Sequence, residues 1–288
     1  MLDLKSGDPK YYKIFKVPKY RHKKLIGWRI IEEPIQPLKE KQRELLKEFE
    51  KIKLSPHAYG VTGKSALQNA ELHEGKDVVI QIDIQDFYRS TTKTMVQFAL
   101  PLGTFKDLDY CFIVDPVSGK RHLPTGAPTS SILANLSMKW RDEQLAGLAI
   151  GYGMTYSRYM DDLTFSGDYH PKGFIQKVKS YLSPYKINWK KYQSVHTGYQ
   201  QAEITGVVIN GEVPTVSRDK RRVIRTKLDH LARESKELDE SIIGELNYVR
   251  SINEEQYHSL AIHYERRVKF YGGQSEQAVC SRDSSTST

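Results

Sequence analysis

Three aspartates carry the chemistry that this chain suggests. Asp161 and Asp162 stand side by side in "RYMDDLTFS", residues 158–166, and Asp83 lies at the end of the apolar run "VVIQIDI", residues 78–84. Asp is depleted in strands, and adjacent carboxylates repel each other. At about 4 Å and an effective dielectric of about 20, each pair costs about 4 kcal/mol. A hard divalent cation removes that cost. Mg²⁺ favours carboxylate oxygens and substrate phosphates in octahedral geometry. Two such ions about 4 Å apart activate an attacking hydroxyl and stabilise a leaving phosphate oxygen. Taken by itself, an Asp-Asp pair reads more simply as a surface turn, because Asp is common in turns.

The elements around these residues must bring them together. Residues 78–84 are β-branched and apolar, as in a strand buried on both faces. Residues 154–166 read as two short strands around a tight turn whose tip holds Asp161 and Asp162. Between them, residues 101–127 are rich in Pro and Gly, and a helix is expected from Pro128 with a stripe of Ile132, Leu133, Leu136 and Trp140. Residues 38–53 and 172–182 also have helical spacing. "EITGVVINGEVP", residues 203–214, suggests a hairpin turning at Asn210-Gly211. Past Pro214 the composition becomes helical, with Ser217 as an N-cap and three helical segments to about Tyr271. The polar end, residues 272–288, reads as disordered.

The 288 residues carry 44 Lys and Arg against 35 Asp and Glu, a net charge of +9 that suits an anionic partner such as nucleic acid. Residues 1–29 and 215–233 hold most of the clustered cations. Brought to one groove they would track a phosphate backbone; apart, they would be two solvated faces. No apolar run is long enough to span a bilayer, the N-terminus has no signal core, and two cysteines make no disulfide framework. A cytoplasmic protein with no membrane partner is expected. "GVTGKS", residues 60–65, lacks the first Gly of a phosphate-binding P-loop, since position 58 is Ala, and is read as an ordinary loop.

Several stretches together resemble a known family. "YMDDL" is similar to the Tyr-x-Asp-Asp motif of reverse transcriptases, "IDIQDFY" at 82–88 to their first carboxylate motif, and "LPTGAPTSS" at 123–131 to the motif that opens a palm helix under the incoming nucleotide. "NAELH" at 69–73, "ITGVVING" at 204–211 and "LNYVRSINEEQYHSL" at 246–260 resemble marks of the bacterial retron branch. The similarity covers roughly residues 10–270.

The resemblance implies an α+β, right-hand polymerase fold. Fingers would span 1–77, a palm of antiparallel sheet plus helices 78–214 with a fingers-side insertion near 95–122, and a helical thumb 215–271. Asp83, Asp161 and Asp162, with the backbone carbonyl of Ile84, would hold two Mg²⁺ ions, and Lys191 would protonate departing pyrophosphate. Lys19 and Arg29 would clamp the triphosphate. Asp86, Phe87, Tyr88, Thr125 and Gly126 would complete the nucleotide site, with Tyr88 excluding a ribose 2′-hydroxyl. Asn69, His73, Arg218, Lys220, Arg221, Arg222 and Arg225 would bind RNA, although Asn69 and His73 read somewhat better as structural braces, and a solvated face is the lesser alternative for the thumb cations. Thr125 stands where the family usually has Gln, and Ser131 where Pro is common; only the first is expected to affect nucleotide handling.

The implied function is an RNA-directed DNA polymerase of retron type. It would copy part of a cognate noncoding RNA, template and primer at once, into branched RNA-linked DNA from deoxynucleotide triphosphates. Host RNase H would trim the hybrid, and a separate effector protein would join the enzyme in phage defence. Open alternatives are a non-catalytic RNA-binding scaffold restraining an effector, a group II intron type enzyme, or a template-independent defence polymerase.

Overall fold

The structure is a computed structural model, described for residues 3–21, 24–101, 107–210 and 213–283. Along the chain come β1 (Tyr12–Arg21), β2 (Lys24–Pro34), α1 (Gln36–Phe49), α2 (Ala66–Glu71), β3 (Val78–Asp83), α3 (Phe87–Ser90), α4 (Lys93–Ala99), β4 (Ile113–Val114) and β5 (Arg121–His122). Next are α5 (Ser130–Gly151), β6 (Thr155–Tyr159), β7 (Asp162–Gly167), α6 (Phe174–Leu182), β8 (Gln193–His196), β9 (Glu203–Ile204), β10 (Val207–Val208), β11 (Thr215–Val216), α7 (Arg218–Arg233), α8 (Glu240–Ile252) and α9 (Glu254–Asp283). The mixture of helix and antiparallel sheet is the expected α+β class.

Two compact units form. The first joins residues 1–65 to 76–195, and the second joins 66–75 to residues from 196 onward. The expected division at 77 and 214 does not coincide with these limits, because the segment 66–75 belongs with the C-terminal part.

The first unit is built on a sheet of order β6-β7-β3-β8. β3 is the apolar run expected from the sequence, with Val79, Ile80 and Ile82 at most 1% exposed. Phe165 of β7 stacks on Tyr156 and meets Phe174 of α6 edge-on. Leu133 and Leu136 of α5 are buried in the same core, whereas Trp140 is 63% exposed and leaves the expected stripe. β1 and β2 form a long hairpin whose register is irregular between Lys19 and Tyr20. Where the 95–122 insertion was expected, α4, a 3-10 turn at Leu108–Cys111 and the β4–β5 pair occur.

In the second unit, β9, β10 and β11 form a small antiparallel sheet, and α2 packs against β9 and β10. The expected hairpin over 203–214 occurs as two: β10 pairs with β9 and also with β11, and residues 209–214, which include Asn210, connect β10 to β11; Gly211 lies outside the described residues. Ile204 pairs with Val207, so Thr205 and Gly206, both at positive φ, make the tight connection. The Asn210 side chain donates to the carbonyls of Thr197 and Gln200 and accepts from the Ala202 amide, which ties the start of that connection to the loop before β9. α7, α8 and α9 share a core of Ile224, Leu228, Ile242, Leu246, Val249 and Leu260. α9 continues as helix to Asp283, where disorder was expected from 272; the rest of the expected tail, 284–288, lies outside the described residues. No helix among the described residues is long and apolar enough to cross a membrane.

Candidate active site

Sheet register assembles the three aspartates. β3 pairs with β7 so that Asp83 lies opposite Asp162, and β6 pairs with β7 so that Tyr159 lies opposite Asp162. Met160 and Asp161 are then the tip of a two-residue turn. One carboxylate oxygen from each of Asp83, Asp161 and Asp162 lies within 4.8 Å of the others. The Ile84 amide donates to the Asp161 carbonyl at 2.9 Å, which ties the end of β3 to the turn.

Packing three anions together perturbs them. Burial and then the charge of Asp83 raise the Asp161 carboxyl above its usual range. Asp162 is pushed up to about 7, by burial first and then by Asp161 and Asp83. Asp162 retains an exposed surface, so water screens part of the burial effect, while the nearness of Asp161 and Asp83 is fixed by the strand pairing. Asp83 is held by the Asn188 side chain at 2.9 Å and by an ion pair with Lys191. Burial opposes the charge of Lys191, but Asp83, Asp162 and Asp161 outweigh it and hold the ammonium above its usual range. Of the two neighbouring lysines in "NWKKY", Lys191 is the one that touches Asp83. An all-oxygen, carboxylate donor set of this kind fits a hard divalent cation.

A cavity of about 780 Å³ opens over the turn. Lys19, Arg29, Asp83, Ile84, Asp86, Phe87, Tyr88, Thr125, Asp161 and Lys191 all line it, so most of the nucleotide-site candidates converge. Phe87 is buried against Tyr88 and Tyr185, so it supports the wall more than it faces the space. Gly126 is not a lining residue. At φ +115° a Cβ there would lie 3.0 Å from Ile31 Cγ2, so glycine permits the contact between its loop and β2. Ser131, expected to matter little, donates to the Met160 sulfur at 3.8 Å.

No protein-family model matches the chain. It is 31% identical to the retron Ec86 reverse transcriptase of Escherichia coli, over 91% of this chain and 82% of that enzyme. It is 30% identical to the retron Ec83 reverse transcriptase of the same species, over 93% and 89%. The chain belongs to the retron reverse transcriptases. It is thus an enzyme of the RNA-directed DNA polymerase class. Identity to the retron Mx65 reverse transcriptase of Myxococcus xanthus is 34% over 88% of this chain, which spans 64% of that longer protein. Among solved structures, a Candida albicans telomerase in complex with a telomeric RNA fragment matches with a TM-score of 0.51 at 12% identity, over 91% of this chain and 56% of that one. This likeness shows the right-hand polymerase fold.

In this retron reverse transcriptase the catalytic turn rests on a buried network that the sequence reading missed. Arg158, fully buried, grips Asp142 through Nε at 2.8 Å and Nη2 at 2.7 Å, and Tyr156 donates to the same carboxylate at 2.8 Å. Nη1 of Arg158 donates to Asn135 and, at 2.7 Å, to the Met160 carbonyl. Met160 sits at φ +56°, a left-handed conformation disfavoured for a bulky residue, and this contact helps to hold it. Residues 57–60 run beside β6, with the Tyr59 amide donating to the Arg158 carbonyl at 2.7 Å. A Cβ on Gly60 would lie 2.7 Å from Met160 Cγ, so only glycine allows that approach. Residues 57–60, ending on the first glycine of "GVTG", are thus a buttress of the turn. The available signal was Arg158 itself, the one charged residue in a short strand beside the catalytic turn.

The RNA-binding candidates all fall in the second unit. Asn69 and His73 are fully buried, and burial lowers the His73 pKa to about 3. Direct contact with RNA by either would require that packing to open, so bracing is the role their positions support. On α7, Arg218 and Arg222 are exposed, but Lys220 lies over the Tyr248 ring at 4.0 Å, Arg221 donates to the Val216 carbonyl at 3.1 Å, and Arg225 reaches Ser259 at 3.5 Å. The expected uniform row of cations is therefore partly engaged by the protein itself.

Proposed function

We propose that this reverse transcriptase copies part of a cognate structured noncoding RNA into branched, RNA-linked single-stranded DNA, with the cavity over the Asp161–Asp162 turn as its nucleotide site. The observation that carries this reading is the register-enforced meeting of Asp83, Asp161 and Asp162. Their side chains, with the Ile84 carbonyl, would hold two Mg²⁺ ions, which when bound activate a primer hydroxyl and stabilise the leaving pyrophosphate oxygen. In-line phosphoryl transfer depends on positioning and charge neutralisation rather than covalent help. Lys19 and Arg29 supply cations to the triphosphate. Arg29 suits bidentate phosphate contacts. Tyr88, at the cavity wall, leaves no room for a 2′-hydroxyl and so selects deoxynucleotides. Lys191 stands beside the carboxylates as a proton donor to departing pyrophosphate.

The exposed thumb cations Arg218 and Arg222 would follow the RNA backbone. The enzyme would act in the cytoplasm, with host RNase H trimming the hybrid and a separate effector protein completing an anti-phage system. A non-catalytic scaffold has no need for three carboxylates held in mutual repulsion, and this favours the catalytic reading. The test is to express the protein with its noncoding RNA locus and treat the bound nucleic acid with RNase and DNase. Wild type should carry RNA and DNA. Asp161→Ala with Asp162→Ala should retain RNA and lose the DNA. Persistent DNA in that variant refutes the site.

A further inference from the structure

We propose that Glu32, outside the cavity and in none of the motifs above, is the positioning residue that fixes the nucleotide-binding walls to one another. The inference rests on the reading of the cavity as the nucleotide site. Glu32 lies three residues after Arg29 on β2 and is buried, with 4% of its surface exposed. Three walls of the cavity meet at its carboxylate and amide. The Thr125 amide donates to Oε2 at 3.1 Å, and the Glu32 amide donates back to the Thr125 carbonyl at 2.6 Å. Arg89, the neighbour of Tyr88, donates to Oε1 at 3.3 Å and also pairs with Asp115. His122 Nε2 lies 3.2 and 3.3 Å from the two oxygens. The β2 strand that carries Arg29, the loop that carries Thr125 and the helix that carries Tyr88 are therefore bound to one buried acid.

A long two-stranded ribbon is compliant by itself, and a triphosphate clamp on it works only if its distance from the opposite wall is fixed. The carboxylate's bond from the Thr125 amide, beside the single backbone bond between the same residues, holds that distance, and the close approach of Gly126 to Ile31 shows how tightly ribbon and loop meet. The chain has Thr125 where a longer glutamine is usual in the family, so less of the nucleotide contact comes from that side chain. Glu32 makes the position of the wall do more of the task.

The experiment is steady-state DNA synthesis on a defined primer–template with each deoxynucleotide triphosphate. Glu32→Ala should raise KM for all four about tenfold, with kcat and primer–template affinity within about threefold of wild type. Glu32→Gln keeps an oxygen for the Thr125 amide and should stay within about threefold in KM. A KM unchanged in Glu32→Ala, or a parallel loss of kcat and primer–template affinity, overturns the proposal. So does a Gln variant as impaired as the Ala variant. Should Glu32→Ala not fold, His122→Phe keeps a ring in place and removes one partner of the acid. A KM rise of about threefold there supports the proposal, and an unchanged KM overturns it. Failure of the nucleotide-site reading is separable, because it would show as DNA synthesis surviving Asp161→Ala with Asp162→Ala.

Discussion

Replacing Asp162 by Asn should make the metal-free protein more stable while removing its activity. Asp162 rises from 3.8 to about 7 because it is enclosed beside Asp161 and Asp83. A carboxyl raised in this way destabilises the folded state wherever both states are ionised, above the folded value. The cost disappears as pH falls below the unfolded value. The shift corresponds to about 4 kcal/mol. Asp162 keeps an exposed surface, and solvent screening reduces this to about 2 kcal/mol. For a body of this size that is a gain in Tm of about 4–8 °C at pH 8 in EDTA. At pH 5 folded Asp162 is largely protonated, and the advantage shrinks to about 1 kcal/mol or less. Thermal melting of wild type and Asp162→Asn at both pH values, with and without Mg²⁺, measures this. Mg²⁺ should raise the wild-type Tm more than that of the variant. A variant that melts at or below wild type at pH 8 in EDTA would refute the claim that these carboxylates strain one another. So would a gain of equal size at both pH values.

Other perturbations test the supports of the turn and the second unit. Arg158→Met leaves Asp142 charged, buried and unpaired, and should cost about 3–5 kcal/mol, seen as a drop in Tm of about 10 °C that Asp142→Leu partly restores. Gly60→Ala drives a methyl into Met160 and should lower kcat about tenfold to hundredfold, with a stability loss of about 1–3 kcal/mol in thermal melting. His73, lowered to about 3 from 6.5, stays neutral in the folded state while the unfolded chain takes up a proton, so stability is lost as pH falls below 6.5. Wild type should lose about 2 kcal/mol between pH 7 and 5 from this group, and His73→Gln should flatten that limb in urea unfolding.

Much of the site was legible because it depends on local pattern. The run ending at Asp83 has no polar break until Gln81, and the two strands around Asp161–Asp162 alternate as a hairpin must. Once both were strands of one sheet, pairing alone could bring the carboxylates together. What escaped depends on contacts between distant residues. Nothing near Arg158 announces that Asp142, on the far part of a helix, will neutralise it. Glu32 looks like a surface acid until His122 and Arg89 fold over it. Asn210 does lie in the connection between β10 and β11, but the tighter turn at Thr205-Gly206, which joins β9 to β10, lacks an Asn-Gly signal and shows only in the strand pairing.

The composition of the second unit bears on how the protein is made. Residues 66–75 leave the ribosome early, and the strands β9 and β10 that pack against α2 begin only at residue 203. Until synthesis reaches them, that short helix has nothing to fold upon, and the first unit must close around an unfinished loop. A fragment ending at 195 would keep this loop permanently uncovered, and a fragment beginning at 196 would lack the piece that fills its own interior. The enzyme should therefore resist being divided into halves, and reconstitution from two separately expressed parts should succeed only when the ten-residue segment accompanies the C-terminal one.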